Sequence, residues 1–168
     1  MRIPLRIALA LIVASFAVSG LAVNKPRAQT AGPGPARVTQ LLQNSGYNFV
    51  QKTPTVWYID FTGKSLKNFR VILSTTDDNS LDGLVVIFVT VTQKAKMPVT
   101  TDFMSRMLHL NHTLDRVKVG FDNDGDLSVR SDCTIRVLDG AEFKVQVEQV
   151  AAAANEVYET AQPYLLGN

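Results

Sequence analysis

The segment Leu84-Val85-Val86-Ile87-Phe88-Val89 constrains this chain more than any other, because it is apolar at every position. A strand exposes alternate residues to opposite sides, so a strand with no polar face needs cover on both. The run predicts a central strand, over Leu84 to Thr92, with helices on one side and a second cover on the other. Short connections place three further strands before it: Phe49 to Lys52, Val56 to Phe61 and Asn68 to Thr75. Pro54, Thr62-Gly63-Lys64 and Asp77-Asp78-Asn79 supply the turns of this antiparallel meander.

Helices are expected around it. Val38, Leu41 and Leu42 share a helical face, and Asn44-Ser45-Gly46 ends that first helix. A second helix runs from about Thr101 to Leu114, with Thr100 or Thr101 as N-cap and Asp102 at the positive end of the helix dipole. Phe103, Met107, Leu110 and Leu114 form its apolar stripe, widened by Met104 and Leu108. Val117 to Phe121 and Leu127 to Val137 then read as a hairpin around Asp122-Asn123-Asp124-Gly125-Asp126. Asp139 and Glu142 form a capping box for a last helix that carries Phe143, Val147, Val150, Ala154, Val157 and Ala161 and ends near Pro163. The order is α-β-β-β-β-α-β-β-α, an α+β domain with an antiparallel sheet and helices packed against it.

Ahead of the domain, Arg2 and Arg6 precede an uncharged apolar run from Ile7 to Val23, and Asn24-Lys25-Pro26-Arg27 follows. This is the order of a secretory signal, and the run is at the lower limit for a membrane span of about 20 residues. Residues 1–30 are read as a signal peptide, cut after Ala28-Gln29-Thr30 or between Gly20 and Ala22. Residues 31–35 are read as a Pro/Gly linker, and 36–168 as the domain. The mature protein is expected in the periplasm or secreted, with no membrane association after cleavage.

Of 17 basic and 15 acidic residues, four basic and no acidic ones precede residue 31, so the mature chain has a net charge of −2. Its Lys and Arg are scattered among Asp and Glu, which removes the electrostatic case for nucleic-acid binding. Cys133 is the only cysteine, so no intramolecular disulfide forms and the core alone must hold the fold.

The candidate chemistry is sparse. An EF-hand register that puts Gly125 at the sixth loop position puts Gly120 at the first and Ser131 at the twelfth, where calcium needs a carboxylate. Asp124 and Gly125 are therefore read as structural residues of a hairpin turn. His109 and His112 stand three apart on the second helix and read as solvent-facing. With Cys133 they are the only basis for a metal- or thiol-dependent enzyme, which requires the three to converge. Asn111 falls on the apolar side of its helix, where its amide must find partners, and is read as a structural tie to strand backbone. No nucleophile elbow, phosphate loop or dinucleotide pattern occurs, and no cofactor is expected.

Leu110-Asn111-His112-Thr113-Leu114, Val117-Lys118-Val119-Gly120-Phe121 and Asp124-Gly125-Asp126-Leu127-Ser128-Val129-Arg130, followed by a long terminal helix, resemble the YbjN family of bacterial sensory transduction regulators. The resemblance implies a fold like that of type III secretion chaperones, often dimeric, and no enzymatic residues. An export signal departs from that family, whose members are thought of as cytoplasmic. The leading expectation is a non-enzymatic exported protein that binds a protein or peptide, with Val85, Ile87 and Val89 as the candidate binding surface. The alternative is a homodimeric structural or stress-related envelope protein that uses the same strand as its interface.

Overall fold

A computed structural model describes residues 32–76 and 80–166. The signal segment and the Asp77-Asp78-Asn79 turn lie outside those residues. Helix α1 spans Pro33–Ser45, three residues earlier than the linker reading allows. Pro33, Gly34 and Pro35 form its first turn, because a proline there lacks only an N–H that has no partner inside the helix, and its fixed φ suits helical geometry. Gly46 ends the helix with φ 82°, in the left-handed region that favours glycine.

The meander follows as β1 (Phe49–Thr53), β2 (Val56–Thr62), β3 (Asn68–Thr75) and β4 (Leu84–Thr92). Then come α2 (Thr101–Thr113), β5 (Lys118–Phe121), β6 (Leu127–Thr134) and α3 (Gly140–Ala161). All strands pair antiparallel in one sheet, in the order β1-β2-β3-β4-β6-β5. The α+β architecture and its element order are those expected from the sequence. Two strands are shorter than expected: β5 begins at Lys118, one residue late, and β6 stops at Thr134, where Ile135–Val137 form a 3-10 turn. Ile135 and Arg136 donate their backbone N–H to Gly83 and Leu81, which draws the chain out of the ladder.

The helix caps follow from side-chain chemistry. Thr100 Oγ1 accepts from Phe103 N at 3.2 Å, and Asp139 Oδ1 accepts from Glu142 N at 2.8 Å. The return half of the α3 capping box is missing, because the Glu142 carboxylate is taken by Arg116 and by Gln146. On α2, Phe103 and Met107 are buried as expected, but Leu108 is 66% exposed and lies outside the stripe. Among the described residues no helix is long and apolar enough to cross a membrane.

The helices all lie on one side of the sheet. α3 packs across β4 and β6, α1 lies along α3, and α2 rests against β5 and α3. Between the layers Trp57, Ile59, Val71, Leu73, Val85, Ile87, Val89, Leu127 and Val129 meet Phe143, Val147, Val150, Ala154 and Val157 in one core. Full burial of each larger side chain contributes about 1.5–3 kcal/mol, and without a disulfide this layer is what holds the fold.

Candidate functional surface

The register places one residue from every strand in a single row on the helix-free side of the sheet. Val50 pairs with Tyr58, Tyr58 with Ile72, Ile72 with Phe88, Phe88 with Arg130, and Arg130 with Lys118. The row is apolar over β1 to β4 and cationic over β6 and β5. Val86 stands beside it, in a second row with Val56, Ser74 and Asp132. Val50 is 62% exposed, and Tyr58, Ile72 and Phe88 are half-buried.

Ion pairs mark both ends. Arg70 binds Asp60 through two bonds, Nε to Oδ1 at 2.7 Å and Nη2 to Oδ2 at 3.2 Å, and its guanidinium lies 4.8 Å from the centre of the Tyr58 ring. At the other end Arg130 and Lys118 share one carboxylate, with Arg130 Nε 2.5 Å from Asp132 Oδ1 and Lys118 Nζ 3.3 Å from Asp132 Oδ2. Burial alone raises the Asp132 pKa, but the bonds from Arg130 and Lys118 outweigh it and hold the carboxyl below its ordinary range. A cavity of about 610 Å³ opens at this end, its lining including Val86 and Phe88 of β4, Asn111 of α2, Lys118 and Arg130, and the Asp122–Asp124 hairpin tip.

The binding surface expected at Val85, Ile87 and Val89 is not available. All three are fully buried beneath the helices, because odd-numbered positions of β4 face the core. Of the alternate positions Phe88 is half-buried and Thr90 exposed, while Val86 is only 9% exposed, so Phe88 is the apolar residue of β4 within reach. Sequence reasoning missed Val50, Tyr58, Ile72, Phe88, Lys118 and Arg130. The signal that could have found them is the alternation in β3 and β6, where Arg70, Ile72 and Ser74 oppose Val71 and Leu73, and Ser128, Arg130 and Asp132 oppose Leu127 and Val129.

Asn111 closes the β5 edge of the sheet: its Oδ1 accepts from Val119 N at 3.1 Å, satisfying a strand N–H that no neighbouring strand takes. The hairpin tip is held by its own backbone. Gly125 has φ 82° and donates to Asp122 O at 3.0 Å, while Asp122 Oδ1 accepts from Asp124 N and Asp126 N. Asp126 Oδ1 accepts from Lys94 N at 2.8 Å, so two of the three carboxylates in this loop serve backbone groups. Asp124 itself contributes through its N–H, and its side chain is exposed.

His109 and His112 are exposed on α2, whereas Cys133 is half-buried on the helix side of β6. Burial pushes the Cys133 thiol up, and the charges of Glu142 and Asp132 act in the same direction against a hydrogen bond shared with Ser131. Ser131 Oγ donates to Gln146 Oε1 at 2.9 Å and Gln146 Nε2 donates to Glu142 at 2.7 Å, a chain that joins β6 to α3. Among the described residues no group of three or more His, Cys, Asp or Glu is placed to hold a metal ion. His109, His112 and Cys133 do not gather into one site.

No protein-family model matches the chain, and no curated protein matches it in sequence. Solved structures match it in shape. The chain is similar to a chain of the ExsC-ExsE complex, with a TM-score of 0.54 at 11% identity over 80% of this chain and 98% of that one. It is also similar to a chain of the heterodimeric ExoU-SpcU complex from the type III secretion system of Pseudomonas aeruginosa, with a TM-score of 0.50 at 14% identity over 77% and 98% of the two chains. At such identities the likeness is one of fold, and the fold is secretion-chaperone-like.

Proposed function

We propose that this protein is a non-enzymatic binding protein that holds a segment of another protein on the helix-free face of its sheet. The observation that carries this reading is the continuous apolar row of Val50, Tyr58, Ile72 and Phe88 on the face opposite the helical core, which α2 meets at the β5 edge through Asn111. Apolar surface of that continuity on an otherwise charged face is the usual mark of an interaction site. The two similar chains come from complexes of two proteins, which supports a protein as the ligand.

The row also favours a different protein over a second copy of this one. Two such faces stacked about a twofold axis bring the Lys118–Arg130 end either onto itself or onto the Val50–Tyr58 end, where Asp132 and Asp60 are already engaged by Arg130, Lys118 and Arg70 of their own chain. The reading further takes the chain as an exported relative of the YbjN family, on the sequence features of residues 1–30 and of the segments from Leu110 to Arg130. Fractionation of cells that express the full chain tests export: recovery of a shortened protein outside the cytoplasm supports it, and a full-length cytoplasmic protein contradicts it.

The binding reading is tested by selection from a displayed library of random short peptides against the wild-type protein and Phe88→Asp. The wild type is expected to enrich apolar segments and Phe88→Asp to lose them. Equal enrichment by both proteins, or none by either, contradicts the reading.

A further inference from the structure

The row on the helix-free face has a direction, which says what chemistry its occupant carries. Four strands contribute uncharged side chains and the last two contribute cations. The cations differ in how fully they are neutralised. Arg70, beside the apolar part of the row, is closed by a two-bond pair with its own Asp60. Arg130 and Lys118 have only Asp132 between them, and the side chains of the two cations are 51% and 73% exposed. Within the row itself two cations share one carboxylate, while Asp122 and Asp124 line the same cavity at the hairpin tip, four residues and more along the chain from Lys118.

Resting on the reading that this face holds a protein segment, the geometry points to an occupant that is apolar where it crosses β1 to β4 and acidic where it reaches β6 and β5, with a carboxylate set between Lys118 and Arg130. Gly120 stands on the same face with no Cβ, and one built there meets nothing within 4 Å, so the approach to both cations is open. Asp122 and Asp124 at the hairpin tip bound the cavity beyond them and repel a carboxylate placed further out. The acidic group is therefore kept from moving along β5 toward the tip and stays level with Lys118 and Arg130. Six strands about 4.8 Å apart span about 24 Å, the reach of about seven extended residues at about 3.3 Å each, so one short segment can cover the apolar row and end on the cations.

The same displayed library, selected on two further proteins, tests this. Wild-type protein is expected to enrich peptides with Asp or Glu at one end of an apolar stretch, and rising salt to erode the acidic preference before the apolar one. Lys118→Ala combined with Arg130→Ala removes both cations, leaves Asp132 to repel, and is expected to lose the acidic bias while apolar enrichment survives. Lys118→Arg is expected to keep the bias, and Phe88→Asp to lose the whole enrichment. A cooperative urea transition kept by all four proteins shows that selection differences are not unfolding. Apolar enrichment without acidic bias, or a bias unchanged in the double variant, overturns the inference and leaves the binding face standing. Absence of any enrichment on wild-type protein overturns both.

Discussion

The two faces of β4 are made of the same residue types and do different work. Val85, Ile87 and Val89 are fully buried beneath the helices, while Phe88 stands half-buried with Tyr58 and Ile72 in a row on the opposite face, with the 9% exposed Val86 beside it. The flanking strands show why one face became core and the other did not. On the helix side their residues continue apolar, as Trp57, Ile59, Val71, Leu73 and Val129; on the other side they include Asp60, Arg70, Arg130 and Asp132. An apolar residue ringed by fixed charges cannot be buried by a helix of the same chain without stripping water from those charges. A partner that arrives with its own matching polar groups can cover it.

Adjacent substitutions break the comparison most sharply. Ile87→Asp places an unpaired charge in the core and is expected to cost more than about 4 kcal/mol, so the protein loses its cooperative urea transition. Phe88→Asp, one residue away, is expected to lower stability by less than about 2 kcal/mol, leaving the fold intact and peptide enrichment lost. Equal stability losses at the two positions contradict the assignment of faces.

The edges of the sheet sharpen it next. Asn111→Ala leaves Val119 N–H without its acceptor and is expected to cost about 1–2 kcal/mol, with faster hydrogen exchange at the Val119 amide. Unchanged exchange there contradicts the role of α2 as cover for that edge.

Much of the helical side of this account is legible in the sequence, and the open face is not. Thr100 and Asp139 announce the starts of α2 and α3 because a cap needs one side-chain oxygen at one place, and Gly46 ends α1 because a left-handed residue is needed there. Strands β3 and β4 are bounded by residues that cannot continue them. Strand β4 carries no period, so nothing within it says which alternate set is buried; only its pairing with β3 and β6, whose faces do alternate, assigns Val85, Ile87 and Val89 to the core. Pairing joins Phe88 to Arg130 across a gap of helix and hairpin, which local pattern does not reveal. Pro33 and Pro35 mislead for a related reason, since the residues that mark a linker also suit the first turn of a helix.

The smallest effect concerns the charged end of the row. Burial raises the Asp132 pKa, but Arg130 and Lys118 bring it below the ordinary value of 3.8. A carboxyl with a depressed folded-state pKa adds stability that is fully present above its unfolded value and is lost as pH falls through the folded one. Wild-type protein is expected to lose part of its urea resistance below about pH 4, and Asp132→Asn to show a shallower loss over the same window. Parallel pH profiles contradict the pairing.

The central claim is that the open sheet face, and not another exposed apolar residue, meets the partner. Photo-crosslinking from benzoylphenylalanine in place of Phe88, set against the same group in place of the 66% exposed Leu108 on α2, tests it most directly in cells that express the full chain. The account predicts adducts with a different protein from position 88 and none from position 108. Adducts from position 108 alone, or a position-88 adduct of only twice the chain's own mass, would contradict it.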